Sequence, residues 1–150
     1  GPQATAMTTR VAELAKAEGL DFDFGAALTV NTLDAHRLLH LAADAGVGDA
    51  AKERLLRAHF TEGADLSDQD TLTRLLTEAG VDESRARAVL ASDEYADAVR
   101  ADFDEARMLG ANGVPFFVID RTYGVSGAQS AETFLHALRT AHAAEDAGAR

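Results

Sequence analysis

Cysteine is the residue that this sequence lacks altogether, and its absence excludes a whole class of chemistry. None of the 150 residues is a cysteine. Because thiol–disulfide exchange begins with attack by a thiolate, these residues contain no group that can start that reaction. The chain also forms no disulfide of its own, so cysteine usage gives no information about the redox state of its compartment.

Basic residues and long apolar runs are also scarce. The chain has 14 lysines and arginines against 25 acidic residues, which gives a formal net charge of −11. This balance argues against nucleic acid and anionic membranes as partners, because both attract clustered cations. No apolar run approaches the ~20 residues that cross a bilayer. With no charged leader at the start, the sequence predicts a cytoplasmic location.

What the sequence does contain is a succession of amphipathic helices separated by glycines. The pattern predicts helices over residues 4–18, 31–46, 48–61, 68–79, 82–90 and 92–110. Asn31 or Thr32, Ser67 and Asp82 are the expected N-caps, since short polar side chains accept hydrogen bonds from the first helical N–H groups. The first helical pattern begins almost at the first residue, so we expect this sequence to start in mid-protein.

After Gly110 the pattern changes from helical to extended. Residues 115–120 are apolar, aromatic and β-branched, residues 121–124 have turn chemistry, and residues 124–127 read as a second short strand. These features predict a β-hairpin. Ser130 is the expected cap of a last helix over residues 131–143.

A single hairpin does not make a finished sheet. Two strands alone are marginally stable in water, and an apolar strand such as 116–119 needs cover on both faces. We therefore expect further strands from upstream sequence or from a second copy of the chain. An uncovered strand edge templates pairing, which predicts a homodimer through the exposed edge of the sheet.

Two motifs in the last third of the chain carry a family resemblance. Residues 113–118, Gly-Val-Pro-Phe-Phe-Val, and residues 123–129, Tyr-Gly-Val-Ser-Gly-Ala-Gln, resemble the C-terminal β-β-α of the DsbA family, in its FrnE-like branch. Residues 31–37, 51–55 and 60–63 resemble the helical insertion of that branch.

The resemblance implies an α/β fold class: an incomplete thioredoxin-like fold, mostly helical insertion, followed by a β-hairpin and a C-terminal helix. It divides the chain into a helical region over 1–110, a thioredoxin-like β-β-α part over 111–143 and a disordered tail over 144–150.

The same resemblance implies a substrate site. Pro115 matches the cis-proline of the family, and Val114 before it would offer backbone groups to an extended peptide. Gly113, Val114 and Pro115 are thus the expected substrate-binding residues. The chain is expected to contain no catalytic residue, to bind no cofactor and to hold no metal.

The residues and the resemblance together give three functional hypotheses, of which the first is favoured and the others are alternatives. The first is part of a DsbA-family thiol–disulfide oxidoreductase or isomerase acting on a peptide or protein disulfide, with an upstream Cys-X-X-C; this chain alone would be inactive. The second is a non-redox peptide-binding or interaction module. The third is a glutathione-dependent isomerase similar to hydroxychromene-carboxylate isomerases, which would use an upstream serine.

Histidine spacing is the one metal-like pattern. His36 and His40 lie four residues apart on a predicted helix, with Asp44 one turn further, and such spacing can bind a metal. Because apolar residues surround the two histidines and no third ligand is evident, a half-buried helix face is the better interpretation.

Overall fold

A computed structural model of the protein describes the backbone of residues 2–148 and the side chains of residues 5–144. Contacts between residues divide the chain into two compact units, Gly1–Val99 and Arg100–Arg150. We call the first the helical unit and the second the hairpin unit. The predicted boundary at residue 110 follows from the resemblance and stays a prediction.

The helical unit contains five whole helices and the beginning of a sixth within the described residues. They are α1 (Pro2–Ala17), α2 (Leu33–Asp44), α3 (Gly48–Phe60), α4 (Gln69–Glu78), α5 (Glu83–Leu90) and α6 (Ala96–Met108), and α6 crosses into the second unit. All six occupy segments where the periodicity predicts helix. The region 21–30 is irregular and packs its Phe22 ring on that of Phe60, with ring centroids 4.7 Å apart.

Helices α2 to α5 enclose a leucine-rich core. Leu38 of α2, Leu72, Leu75 and Leu76 of α4, and Val89 of α5 are completely buried. The 3.6-residue period of each helix places these side chains on its inner face. Burying one such side chain stabilises the fold by about 1.5–3 kcal/mol, so the helical unit has a closed core of its own.

Aspartates begin two of these helices. The Asp68 carboxylate accepts a hydrogen bond of 2.8 Å from the Thr71 N–H, and Asp82 caps α5 as predicted. The prediction that Ser67 caps α4 was wrong, because the Ser67 hydroxyl and N–H donate to Asp65 instead.

The sixth helix begins later than the predicted residue 92. Tyr95 has a φ of +63°, which interrupts the helical path, and α6 starts at Ala96. The carbonyls of Val89, Ser92 and Glu94 all accept hydrogen bonds from the buried Arg37 guanidinium instead. A long-range side chain therefore holds this segment as a turn.

The hairpin unit contains one antiparallel pair of strands among the described residues, β1 (Phe116–Ile119) and β2 (Tyr123–Ser126). Phe116 pairs with Ser126, and Ile119 pairs with Tyr123. The turn lies at residues 120–122, earlier than the predicted 121–124, because Asp120 and Arg121 both have positive φ. Two consecutive left-handed residues match the right-handed twist of a hairpin.

The last helix, α7 (Ala131–Gly148), packs on one face of this hairpin. The rings of Phe117 and Phe134 meet edge to face at 4.8 Å, and the Thr133 N–H donates to the predicted cap, Ser130. The helix continues past the predicted end at 143, since residues 141–148 contain no proline and only one glycine. Of the tail predicted to be disordered, 144–148 are thus helical and 149–150 lie outside the described residues.

The described helices lack the features of a membrane span. Within residues 2–148, no helix combines the length and the apolar character that a bilayer crossing requires.

Candidate functional site

The candidate site begins where α6 ends. Gly110 has a φ of +87°, and the N–H of Ala111 donates to the Ala106 carbonyl at 3.0 Å, which closes the last turn of the helix. The Asn112 side chain donates to the Gly110 carbonyl at 3.1 Å. These bonds fix the start of the loop that carries Gly113.

The centre of this loop is the Val114–Pro115 bond, which is cis. The Pro115 carbonyl accepts a hydrogen bond of 2.8 Å from the Gly127 N–H and so extends the hairpin ladder by one rung. Val114, by contrast, is 95% exposed. Its backbone N–H and carbonyl make no hydrogen bond to any residue that the structure describes. The loop therefore presents one free donor and one free acceptor beside a fixed strand.

Packing behind the loop holds β1 in place. Phe117 lies against α7, while Phe116 on the opposite face covers Gly124 of β2. A Cβ atom at Gly124 would lie 3.0 Å from the Phe116 ring, which is closer than side chains ordinarily approach. Glycine at this strand position thus lets the aromatic ring cover the neighbouring backbone.

The structure places the three predicted substrate-binding residues together in one loop of the hairpin unit. Gly113 and Val114 precede the strand and Pro115 enters it. A Cβ atom at Gly113 would meet nothing within 4 Å, so space is open beside that residue. The loop contains no ionisable side chain and no nucleophile. It can hold an extended chain through its backbone, but it cannot by itself carry out a covalent step.

The two histidines of α2 do not form a metal site with their neighbours. The His40 ring lies parallel to the ring of Tyr95, with centroids 6.0 Å apart. The Tyr95 hydroxyl donates to the Asp44 carboxylate at 2.6 Å, and this bond raises the pKa of Tyr95. Over residues 5–144, no three histidine, aspartate or glutamate side chains lie close enough together to hold a metal ion.

His36 belongs instead to a cleft that the sequence pattern did not single out. The cleft lies between α2 and α3, and we call it the α2–α3 cleft. Its lining residues are Thr32, Ala35, His36 and Leu39 on the side of α2, Lys52, Leu55, Leu56 and His59 on α3, and Leu66 after it. The sequence does contain a pattern that indicates this cleft. The lining residues of α2 and those of α3 both follow the spacing i, i+3, i+4, i+7, which places side chains on one face of a helix.

The chain as a whole matches a family model and is similar to solved structures. The model of the DsbA-like thioredoxin domain matches residues 1–139. The chain is also similar to the crystal structure of a probable DsbA oxidoreductase from Streptomyces coelicolor, with 45% identity and a TM-score of 0.88. The alignment covers 95% of this chain but 62% of that protein, so the chain spans less than two thirds of its length. No curated protein matches the chain.

Proposed function

This chain belongs to the family of DsbA-like thioredoxin domains, and from that premise we propose that it supplies the substrate-binding side of a thiol–disulfide oxidoreductase. The predicted family and the predicted thioredoxin-like fold class are both confirmed. The observation that carries the proposal is the match to a DsbA oxidoreductase at 45% identity over 95% of the chain. Assignment to the FrnE-like branch stays a prediction, and no choice between oxidase and isomerase is made.

In this proposal the loop of Gly113, Val114 and Pro115 holds the substrate. An extended peptide would pair its backbone with the exposed N–H and carbonyl of Val114, in the manner of a strand added to a sheet edge. The Val114 side chain points to no described partner and is almost fully exposed, so it adds little to that pairing. Binding through the backbone accepts many sequences, which suits an enzyme acting on protein disulfides.

The redox chemistry would come from a cysteine pair outside these 150 residues. A thiolate of that pair attacks one sulfur of the substrate disulfide, forms a mixed disulfide and releases the other sulfur as a thiolate. The second cysteine, as a thiolate, then attacks the enzyme sulfur of the mixed disulfide. In this direction the substrate leaves with both sulfurs reduced and the enzyme pair is left as a disulfide; the same steps in reverse pass the enzyme disulfide to two substrate thiols. The 150 residues alone should be inactive.

The first test is the intact mass of the endogenous protein after alkylation with iodoacetamide. We expect a mass above 15.8 kDa and at least two alkylated thiols after reduction. A mass of 15.8 kDa without thiols would contradict the proposal and leave the non-redox binding module. A heavier protein that has a serine where the cysteine pair is expected would favour the glutathione-dependent isomerase.

A second test examines the loop in the cysteine-containing protein. Val114→Pro removes the N–H of that residue, and Val114→Ala removes only the exposed side chain. Since a backbone hydrogen bond contributes about 1 kcal/mol, we expect Val114→Pro to raise KM for a peptide disulfide about fivefold. Val114→Ala should change it less than twofold. Equal effects of the two substitutions would mean that the substrate does not pair with the Val114 backbone.

Assembly and location remain proposals as well. Among the described residues, the outer edges of β1 and β2 have no strand beside them, which supports pairing with a second copy of the chain. A single species of monomer mass in light scattering would contradict a homodimer. A cytoplasmic location is proposed from the sequence alone.

A further inference from the structure

An Asn-Gly pair stands at the start of the Gly113–Val114–Pro115 loop. The chain contains two asparagines, Asn31 and Asn112, and glycine follows only the second. Both Asn112 and Gly113 are exposed. Because glycine has no side chain, its backbone nitrogen is unusually open to the asparagine side chain before it. This pair therefore has the sequence and the exposure that favour a reaction between side chain and backbone.

The structure restrains the two reacting groups only weakly. The N–H of Gly113 donates no hydrogen bond to any residue that the structure describes. A Cβ atom at Gly113 would meet nothing within 4 Å, so this side of the backbone is open. The Asn112 amide nitrogen donates to the Gly110 carbonyl at 3.1 Å, and this bond is exposed. Since water competes for such a bond, the amide is free to turn toward the Gly113 nitrogen.

Asn31 is a natural comparison within the same chain. It is also exposed, but its Oδ1 atom accepts a hydrogen bond of 2.9 Å from the Leu33 N–H. The residue after it is Thr32, whose β-branched side chain crowds the backbone nitrogen. The two asparagines thus share solvent exposure and differ in the neighbour that decides whether the backbone nitrogen can reach the side chain.

We propose that Asn112 is a site of spontaneous deamidation, which places a carboxylate at the start of the Gly113–Val114–Pro115 loop. The Gly113 backbone nitrogen bonds to Asn112 Cγ, the Cγ–Nδ2 bond breaks, and the side-chain nitrogen leaves as ammonia with the proton of the Gly113 nitrogen. Water then opens the resulting cyclic imide. Cleavage at Cγ gives aspartate, whereas cleavage at the main-chain carbonyl gives isoaspartate, whose main chain is one carbon longer. Water is the only co-reactant, and nothing is oxidised or reduced.

Either product changes the loop and the end of α6. A carboxylate donates no hydrogen bond, so the contact with the Gly110 carbonyl is lost, and the new charge repels the carbonyl oxygens at this helix end. In isoaspartate, the longer main chain shifts Val114 relative to the Pro115 carbonyl, which accepts from the Gly127 N–H at 2.8 Å. Conversion therefore weakens the binding of a peptide disulfide, a consequence that rests on the proposed function.

Peptide mapping measures the reaction directly. The full 150-residue chain is kept for several weeks at physiological temperature and pH, digested with trypsin and analysed by liquid chromatography and mass spectrometry, with a fresh sample digested in parallel. We expect peptide 108–121 to give two products of equal mass, about one mass unit heavier. Peptide 17–37, which contains Asn31, should convert at least about tenfold more slowly. Conversion at Asn112 no faster than at Asn31 would overturn the proposal.

Two substitutions test the chemistry of the pair. Gly113→Ala adds a methyl group that hinders the attacking nitrogen, and the open space around Gly113 accommodates it. Asn112→Gln keeps the amide but moves it one carbon away from that nitrogen. We expect each variant to slow conversion at residue 112 at least about tenfold, with an unchanged circular dichroism spectrum. Conversion of Gly113→Ala as fast as that of the unsubstituted chain would also overturn the proposal.

The effect on binding is measured separately, in the cysteine-containing protein. The unsubstituted protein and Asn112→Gln are aged alike, and each aged sample is compared with its own fresh sample. We expect ageing to raise KM for a peptide disulfide about threefold in the unsubstituted protein and to change it less than about 1.5-fold in Asn112→Gln. Conversion at Asn112 with an unchanged KM would confirm the modification and contradict the proposed use of this loop in substrate binding.

Discussion

The two units of this protein differ in how far each completes its own core. In the helical unit, side chains from α2, α3, α4 and α5 bury one another in a single cluster. In the hairpin unit, Val125 and Ala141 are the buried apolar side chains among the described residues, while Val114, Phe117 and Leu138 remain exposed. Both units expose some large apolar side chains, such as Leu14 and Leu56 in the helical unit, but the helical unit also has a buried core, which the hairpin unit has only in small part among the described residues.

Backbone hydrogen bonding explains the difference. A helix satisfies its N–H and carbonyl groups within itself, so four helices need only their apolar faces to be covered. A strand satisfies its groups only through neighbours, and within the part of the chain that the structure describes β1 and β2 have one neighbour each. The unit that contains the Gly113–Val114–Pro115 loop is thus also the unit whose strands keep unpaired edges among the described residues.

Hydrogen exchange is expected to show the largest difference between the two units. Amides of α2 and α4 should exchange only through global unfolding, whereas amides of β1 and β2 should exchange through local opening. We expect protection in the helices to exceed that in the strands by at least about a hundredfold, which corresponds to roughly 3 kcal/mol. Native-state exchange followed by NMR measures both sets in one sample.

The exchange data also contain their own control. The amides of α7 test whether low protection belongs to the strands or to the whole hairpin unit. Equal protection of the strands and of α4 would show that the two units unfold together, and the contrast drawn above would then be wrong.

Two arginine substitutions test the difference between the units at single residues. Arg37 is 5% exposed and donates to three backbone carbonyls of the segment 89–94, besides the Asp34 carboxylate at 2.8 Å. Arg37→Met would remove the guanidinium donor from the Ser92 and Glu94 carbonyls and one of several donors from the Val89 carbonyl, which also accepts from the Ser92 N–H and hydroxyl. Since an unsatisfied buried polar group costs about 1–3 kcal/mol, we expect a loss of about 3 kcal/mol in the free energy of unfolding, measured with urea.

Arg121→Met in the hairpin unit is the matched control. Arg121 is mostly exposed and pairs with Glu105 at the surface. Exposed pairs contribute about 0–1 kcal/mol, so this variant should lose less than about 0.5 kcal/mol. A loss at Arg37 no larger than that at Arg121 would mean that the buried guanidinium does not hold the turn before α6.

Acid titration gives the smallest expected effect. Hydrogen bonds from the Ser67 hydroxyl and N–H lower the pKa of Asp65. The Arg54 and Arg74 guanidiniums lower the pKa of Glu78. The Ser84 hydroxyl and the Arg85 N–H lower the pKa of Asp82. A carboxyl with a lowered folded-state pKa binds fewer protons in the folded state than in the unfolded state. Its stabilising contribution is present above the unfolded pKa, near pH 4, and is lost as pH falls through the folded pKa.

The measurement is the urea concentration at the midpoint of unfolding, followed by circular dichroism at pH 7, 5 and 3. We expect little change between pH 7 and 5 and a fall between pH 5 and 3. Arg54→Gln should make that fall smaller, because it removes a guanidinium that holds Glu78 ionised. A midpoint that rises on acidification, or a fall that is larger in Arg54→Gln, would show that these carboxyls do not stabilise the fold in this way.

Local patterns were enough to predict most of the elements. The helix periods, the Asp82 and Ser130 caps and the extended segment after Gly110 all depend on neighbouring residues, and the structure has each of them. One error, the start of α6, lies where a distant group decides the backbone. Arg37 fixes the turn before α6 across more than 50 residues, and nothing local to Ser92 signals it.

The candidate functional residues also divide into those that a local motif predicts and those that depend on packing. The Gly113–Val114–Pro115 loop was predicted from a contiguous motif, because the resemblance lies in adjacent residues. The α2–α3 cleft was missed, since its walls come from two helices and become a cleft only when these pack. One sign in the sequence was the repeated helical spacing around His36 and Lys52.

The sequence by itself determined the absence of a thiol, the acidic charge, the helical segments and the motif that identifies the family. These depend on composition and on interactions within a few residues. Only the tertiary structure decided which apolar faces are buried, where α6 begins and that α2 and α3 enclose a cleft. Burial and long-range hydrogen bonds depend on which segments pack together, and that pairing is a property of the whole fold.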